Sequence, residues 1–332
     1  MLLRNAVFGI FAAASALALQ SGAAQALDRV SIGTGPAGTL YNQIGTTMAG
    51  VLQREMKVPA NTRPFSGTTV YLPPLAAGEL NAAINSSVES RSAYLGQGVF
   101  EKPVTTIRAL ATLNRAPFQF FARGADNITS VEQLKGKKVV TQYRTIRPFD
   151  AVISSALATA GLTDKDVEAV VMAGVPDAIR AVSDGRVDAA VVALNIPPLR
   201  EADATLQGGI RVLTMGPNEN AVNSIPGLEV GTIGPGPASV GIPVATRVTY
   251  MPVYLNSNTH VSNDDAYTIV KTVYDNWAEM QEALPALRST KQADFLPTRV
   301  SHPFHDGAIR FFKEIGLWTA QHQADQDALL KP

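Results

Sequence analysis

Short runs of β-branched and other apolar residues alternate with amphipathic stretches along most of the chain, the pattern of parallel sheets covered by helices. Strands are predicted at 30–32, 62–65, 82–85, 107–113, 118–122, 138–141, 167–172, 189–193 and 210–215. Residues 226–243 hold Gly227, Gly231, Gly234, Pro235, Gly236, Pro237 and Gly241, too many breakers for regular structure, and are expected to cross between lobes. A long strand is predicted at 244–255. Asn263 is then expected to cap a helix with Asp264 and Asp265 in its first turn, and Ala266, Ile269, Val270, Val273, Trp277, Met280 and Leu284 share one face, read as core. Pro285 and Leu296-Pro297 separate this part from a last helix within 303–322.

An internal comparison adds organisation to this pattern. At an ungapped offset of 107, residues 65–85 match 172–192: Gly67 meets Gly174, Gly78 meets Gly185, and Ala82 and Ala83 meet Ala189 and Ala190. Leu72, Leu75, Leu80 and Ile84 likewise meet Ile179, Val182, Val187 and Val191. The unit is a strand end, a glycine turn, a helix closed by a left-handed glycine, and a buried strand. Two lobes of like topology are expected, with a ligand in the cleft where strand ends and helix N-termini converge, trapped by hinge closure.

Length agrees with about two domains, since 332 residues exceed the usual ~150 per domain. The 28 basic and 28 acidic residues balance, with no basic block, so neither nucleic acid nor an anionic membrane surface is expected as a partner. Without cysteine there is no disulfide framework, thiolate nucleophile or Cys-ligated metal. Residues 1–26 read as a cleaved secretory signal: Arg4 in the n-region, an apolar stretch over 6–19, and Ala24-Gln25-Ala26 as cleavage site. The apolar stretch falls short of the ~20 residues a spanning helix needs. A periplasmic protein starting at Leu27 is therefore expected.

The sharpest local motif is residues 33–41, Gly-Thr-Gly-Pro-Ala-Gly-Thr-Leu-Tyr, directly after the first strand and opening a helix. Gly33, Gly35 and Gly38 satisfy the dinucleotide fingerprint, yet the second strand ends Arg63-Pro64-Phe65-Ser66-Gly67, without the acid that holds a ribose. What remains is a glycine loop that lets backbone N–H groups approach a ligand, and a helix N-terminus that favours an anion.

Together with this motif, residues 75–84, 134–139 and 178–192, His302-Pro303, Gly307-Ala308 and Phe311-Phe312 resemble the TAXI family of solute-binding proteins, in order and spacing over nearly the whole chain after residue 26. These are receptors of tripartite ATP-independent periplasmic (TRAP) transporters. The resemblance implies an α/β, two-lobe periplasmic-binding-protein fold (type II-like). It also implies a small organic anion or amino acid as ligand, and delivery to a sodium-driven TRAP membrane permease. Lobe 1 is expected over 27–122 and 237–332, lobe 2 over 123–236.

Carried over residue by residue, the ligand site would comprise Gly35, Ala37, Gly38, Thr39, Leu40 and Tyr41, with Asn85, Ser86 and Ser87, in lobe 1. In lobe 2 it would comprise Gln142, Arg144, Thr145, Arg147 and Asn195. Relatives usually carry a glycine- and serine-rich turn where this chain has residues 142–148, Gln-Tyr-Arg-Thr-Ile-Arg-Pro. An arginine fork suits a carboxylate, so Arg144 or Arg147 is expected to grip one; the alternative is that both are solvated or pair with acids such as Asp150. Tyr41, Tyr143 and Phe149 are either pocket walls or packing at strand ends. His302 and His305 flank a proline at i and i+3 and are read as structural, the cluster 184–188 as a solvated turn, and no metal or cofactor is expected. Residues 236–241 miss the spacing of a nucleophile elbow, so the chain is read as a monomeric receptor and not an enzyme. An ABC-type or sensor-coupled binding protein is the alternative, with a periplasmic enzyme behind it.

Overall fold

The computed structural model describes residues 27–144, 148–194, 196–236 and 239–331. The expected signal segment, Thr145, Arg147 and Asn195 lie outside the described residues.

The chain opens with β1 (Val30–Thr34), α1 (Leu40–Met56), β2 (Ala60–Pro64), α2 (Thr68–Ala76), β3 (Ala82–Ser86) and α3 (Ser87–Leu95). A 17-residue strand, β4 (Ile107–Arg123), leads out of this unit. The pattern then repeats as β5 (Lys138–Tyr143), α4 (Pro148–Thr159), β6 (Glu168–Met172), α5 (Val175–Ser183), β7 (Ala190–Ala193) and α6 (Pro197–Thr205). After β8 (Ile210–Val212), α7 (Asn220–Asn223) and β9 (Glu229–Ile233), the strand β10 (Thr246–Asn258) runs back. Four helices complete the chain: α8 (Asn263–Asp275), α9 (Trp277–Ala283), α10 (Asp306–Glu314) and α11 (Ala320–Leu330).

The sheet order is β2-β1-β3-β10-β4-β7, with β8 on β4 and β9 on β10; β5 pairs with β6 and touches β7 through the parallel bridge between Val139 and Ala189. Buried side chains divide into two main cores. One gathers residues from Phe118 to Met251; the other gathers Val30 to Leu113 and Val253 to Phe312, with a satellite around Tyr71, Leu72 and Leu80. This is an α/β two-lobe architecture, and the cores change over inside β4 and β10. These two strands cross between the lobes as one antiparallel ribbon, in which Pro252 faces Arg115 and Tyr250 faces Pro117.

Several expected elements take a different form. The separate strands at 107–113 and 118–122 are one strand, because pairing with β10 carries the ladder through the polar residues Asn114 and Arg115. Residues 226–243 are not the crossing: β9 forms there and pairs with β10, and Gly231 within it leaves room for the Tyr250 ring. The last helical part is two helices, α10 capped by His305 and α11 capped by Thr319. The cap of α8 is Ser262 in place of Asn263, and its apolar stripe runs on through α9 as core.

The offset of 107 holds to the level of single hydrogen bonds. Gly78 donates its N–H to Leu75 O as Gly185 does to Val182 O, both glycines at positive φ (+80° and +70°). Asn81 N–H donates to Ser31 O and Asp188 N–H to Lys138 O, at 3.0 and 2.7 Å. In return the Asn81 side chain accepts from Ser31 N–H and the Asp188 side chain from Lys138 N–H. β1 meets β2 with Ser31 opposite Asn61, and β5 meets β6 with Lys138 opposite Glu168. The 184–188 turn is thus solvated at Asp184 and Arg186, which pair with each other, while Asp188 ties two strands together.

Candidate functional site

The strand ends locate the site. Ser86, at the C-terminal end of β3, pairs with Val253, and Ala193, at the C-terminal end of β7, pairs with Phe118; both partners lie where the cores change over. The C-terminal ends of β1, β2 and β3 and those of β5, β6 and β7 therefore point to the boundary between lobes, where ligands of open α/β sheets bind.

In lobe 1, Gly35 is buried at the end of β1 and residues 36–39 are exposed. Thr39 fixes the loop and starts α1: its hydroxyl donates to Pro36 O at 2.7 Å and accepts from Asn42 N–H. Asn42 reaches back to Thr34 Oγ1 and accepts from Gly38 N–H, and Gln43 Nε2 donates to Gly38 O. Gly38 has φ +82° and open space where a side chain would stand, so the backbone of the loop is accessible. Leu40 and Tyr41 are half-buried against the lobe 1 core. Burial, and secondarily the charge of Glu89, pushes the Tyr41 phenol well above its ordinary range, so it stays a neutral hydroxyl.

Asn85, Ser86 and Ser87 sit at this boundary, but their side chains are spent within the protein. Asn85 Nδ2 donates to Ser90 Oγ, and Asn85 Oδ1 accepts from Asn256. Ser86 caps α3, accepting from Glu89 N–H while its hydroxyl donates to the Glu89 carboxylate. Ser87 Oγ donates to Gly227 O at 2.6 Å, a buried contact from lobe 1 to lobe 2. All three are buried, because a polar side chain at a strand end beside a crossing strand finds partners inside.

In lobe 2 a bulge in β5 moves the register by one residue, so that Gln142 pairs with Val171 where Thr34 pairs with Pro64. Residues 143 and 144 then occupy the place of residues 35 and 36, and α4 starts at Pro148 as α1 starts at Leu40. Gln142 is half-buried, and Arg144 is exposed at the position equivalent to Pro36. Tyr143 and Phe149 are core: the Tyr143 hydroxyl donates to Val191 O at 2.7 Å, and Phe149 packs edge-on against Tyr143 and Phe118.

The sequence pattern alone left out three contributors, Asn42, Gln43 and Glu89. Asn42 and Gln43 brace the glycine loop from the first turn of its own helix. Glu89 was signalled by the Ser-x-x-Glu pattern of a capping box at 86–89. Gly67 and Gly174 stand at the starts of α2 and α5 without a side-chain cap, two helix N-termini at equivalent strand ends.

A buried polar network supports the site from behind. His302 Nε2 lies 2.6 Å from Asn256 Oδ1, and Asn256 Nδ2 donates to Asn85 Oδ1 and Ser90 Oγ. The Asn256 oxygen must therefore accept, which places the His302 proton on Nε2 and leaves Nδ1 to accept from Ser301 Oγ at 3.0 Å. Burial, with smaller contributions from Arg108 and Arg91, pushes the His302 pKa down to about 3. His305 is lowered as well, chiefly by burial. Both histidines are structural, and no group of three or more potential metal ligands occurs among the described residues.

Residues 32–316 match the model of the NMT1-like family. The chain belongs to the NMT1-like family. Its fold is shared with the periplasmic aliphatic sulphonate binding protein SsuA from Escherichia coli (15% identity, 92% of this chain and 93% of that one, TM-score 0.50). It is also shared with a TctC solute binding protein from Polaromonas (13% identity, 79% and 86% covered, TM-score 0.53). A Xanthomonas citri protein bound to ATP is similar in fold at 11% identity, over 92% of this chain and all of that one, with a TM-score of 0.52. The two-lobe fold of this NMT1-like chain is thus that of periplasmic solute-binding proteins. Among the described residues no helix is long and apolar enough to cross a membrane.

Proposed function

We propose that this NMT1-like protein is an extracytoplasmic solute receptor that closes its lobes on a small carboxylate, a dicarboxylate or acidic amino acid, and delivers it to a membrane permease. The observation that carries the reading is the pair of equivalent loops at the lobe boundary: an accessible glycine backbone at the N-terminus of α1, and Arg144 exposed at the matching place in lobe 2. Backbone N–H groups and a guanidinium on opposite walls suit the two ends of an anion. In this reading the lobes divide within β4 and β10, where the cores change over, and Arg147 and Asn195 are further candidates for contact with the ligand. The motifs shared with TAXI receptors support a TRAP permease as partner.

A second reading has its own support, since the fold likeness to SsuA suits an ABC-type receptor for a sulfonate. Thermal unfolding against mono- and dicarboxylates, acidic amino acids and alkanesulfonates separates the two. A ligand at 100 times its Kd stabilises the fold by about 2.7 kcal/mol. A dicarboxylate or acidic amino acid that shifts the midpoint, with loss of the shift in Arg144→Ala, supports the first reading; a sulfonate that shifts it in their place supports the second. No shift with any of them overturns both. Export is tested at the N-terminus of the periplasmic protein, expected at Leu27.

A further inference from the structure

We propose that the protein holds a second binding site, on the ribbon side of the lobes, for a small amphipathic carboxylate. A cavity of about 420 Å³ lies between Arg91 on α3, Tyr254 on β10 and α11 from lobe 1, and residues 220–229 from lobe 2. None of residues 35–41, Gln142 or Arg144 lines it, so it is separate from the loop site. Its size is that of a pocket for a small organic molecule.

The charges define the occupant. Of the ionisable groups on the wall, Arg299 pairs with Asp325 at 3.5 Å, and Glu229 is held by Arg115 at 2.7 Å. Arg91 is left: its Nη1 donates to Ser301 O at 2.7 Å, and it forms no ion pair with any carboxylate among the described residues. A half-buried guanidinium with only a carbonyl for partner retains donors, and it favours an anion in a space too large for the protein's own atoms to fill. Asn223 faces it from lobe 2 with its oxygen already accepting from Val230 N–H, which leaves the amide nitrogen to donate. Ile225, Leu228, Pro252, Val300 and Leu329 supply apolar surface, with Asn220 and Ser224 as further polar groups on the lobe 2 side. One unneutralised cation beside an apolar wall selects a monocarboxylate with a hydrocarbon body over a bare inorganic ion.

Calorimetric titration of the chain beginning at Leu27 with hexanoate, against uncharged hexanamide, tests the site. Hexanoate is expected to bind in the millimolar range or tighter, and hexanamide to bind at least about tenfold more weakly, as for any lost charge-assisted hydrogen bond. Arg91→Gln should weaken hexanoate to the level of the amide. Ala328→Trp, placed on an exposed position of α11 beside the cavity, should abolish binding without touching the core. Arg144→Ala should leave hexanoate affinity unchanged, which separates this site from the loop site. Absence of binding to the parent chain, equal binding by the amide, insensitivity to both Arg91→Gln and Ala328→Trp, or loss of binding in Arg144→Ala overturns the proposal.

Discussion

His302 makes the fold sensitive to acid, and the size of the effect follows from its surroundings. The imidazole is fully buried, donates to Asn256 and accepts from Ser301, so a second proton must reverse the Ser301 hydrogen bond and place a charge in the interior. Its pKa falls from 6.5 to about 3. A group depressed on folding binds more protons when unfolded, so the stability it contributes is present above pH 6.5. That stability erodes as the pH falls through 6.5 and levels off only near pH 3. At 1.36 kcal/mol per pKa unit, this amounts to about 2 kcal/mol between pH 7 and pH 5 and about 4 kcal/mol by pH 3. His305, lowered in the same direction, adds to the slope without replacing it. His302→Gln keeps a side-chain N–H near Asn256 and removes the titration. Urea unfolding at pH 7 and pH 5 should show a less stable variant at pH 7 that loses about 2 kcal/mol less than the parent on acidification. If the two chains lose the same stability within about 0.5 kcal/mol, the resolution of such extrapolations, the buried neutral imidazole is not the source of the acid sensitivity.

Asn81→Ala and Asp188→Ala remove equivalent links to β1 and β5, and each should cost about 1 kcal/mol in chemical denaturation. Gly185→Ala forces an alanine to φ +70° against the Arg123 guanidinium and should cost about 1 to 2 kcal/mol, read as a lowered midpoint. Gly227→Ala, at φ +96° with its new Cβ 3.1 Å from Ser87, should strain the contact between α3 and lobe 2 and cost about 1 to 2 kcal/mol, read as a lowered unfolding midpoint.

The periodicity of the chain shows the repeat, the two lobes and the long apolar stripe of α8 and α9, because those features depend on spacing within a few dozen residues. It shows less wherever a distant partner decides. Residues 114–117 read as a break because they are polar and contain a proline, and only the ladder with β10, well over a hundred residues away, makes them strand. The hydrogen-bond partners of Asn85 and Ser87 are equally out of local reach, Asn256 and Gly227 being 171 and 140 residues away. The features of the first loop and of Arg144 depend on nearby residues. Thr39 caps α1, the loop before it is accessible at Gly38, and Arg144 is exposed at the lobe boundary.

Among the described residues, the ribbon of β4 and β10 carries the chain from one core to the other, as continuous strand with no intervening loop. Antiparallel pairs twist far more readily than they bend in the plane of their hydrogen bonds. A proline on each strand, Pro117 and Pro252, removes backbone donors where the twist must be absorbed. Closure of the lobes, as proposed above, therefore has to deform paired strands and not a loose linker.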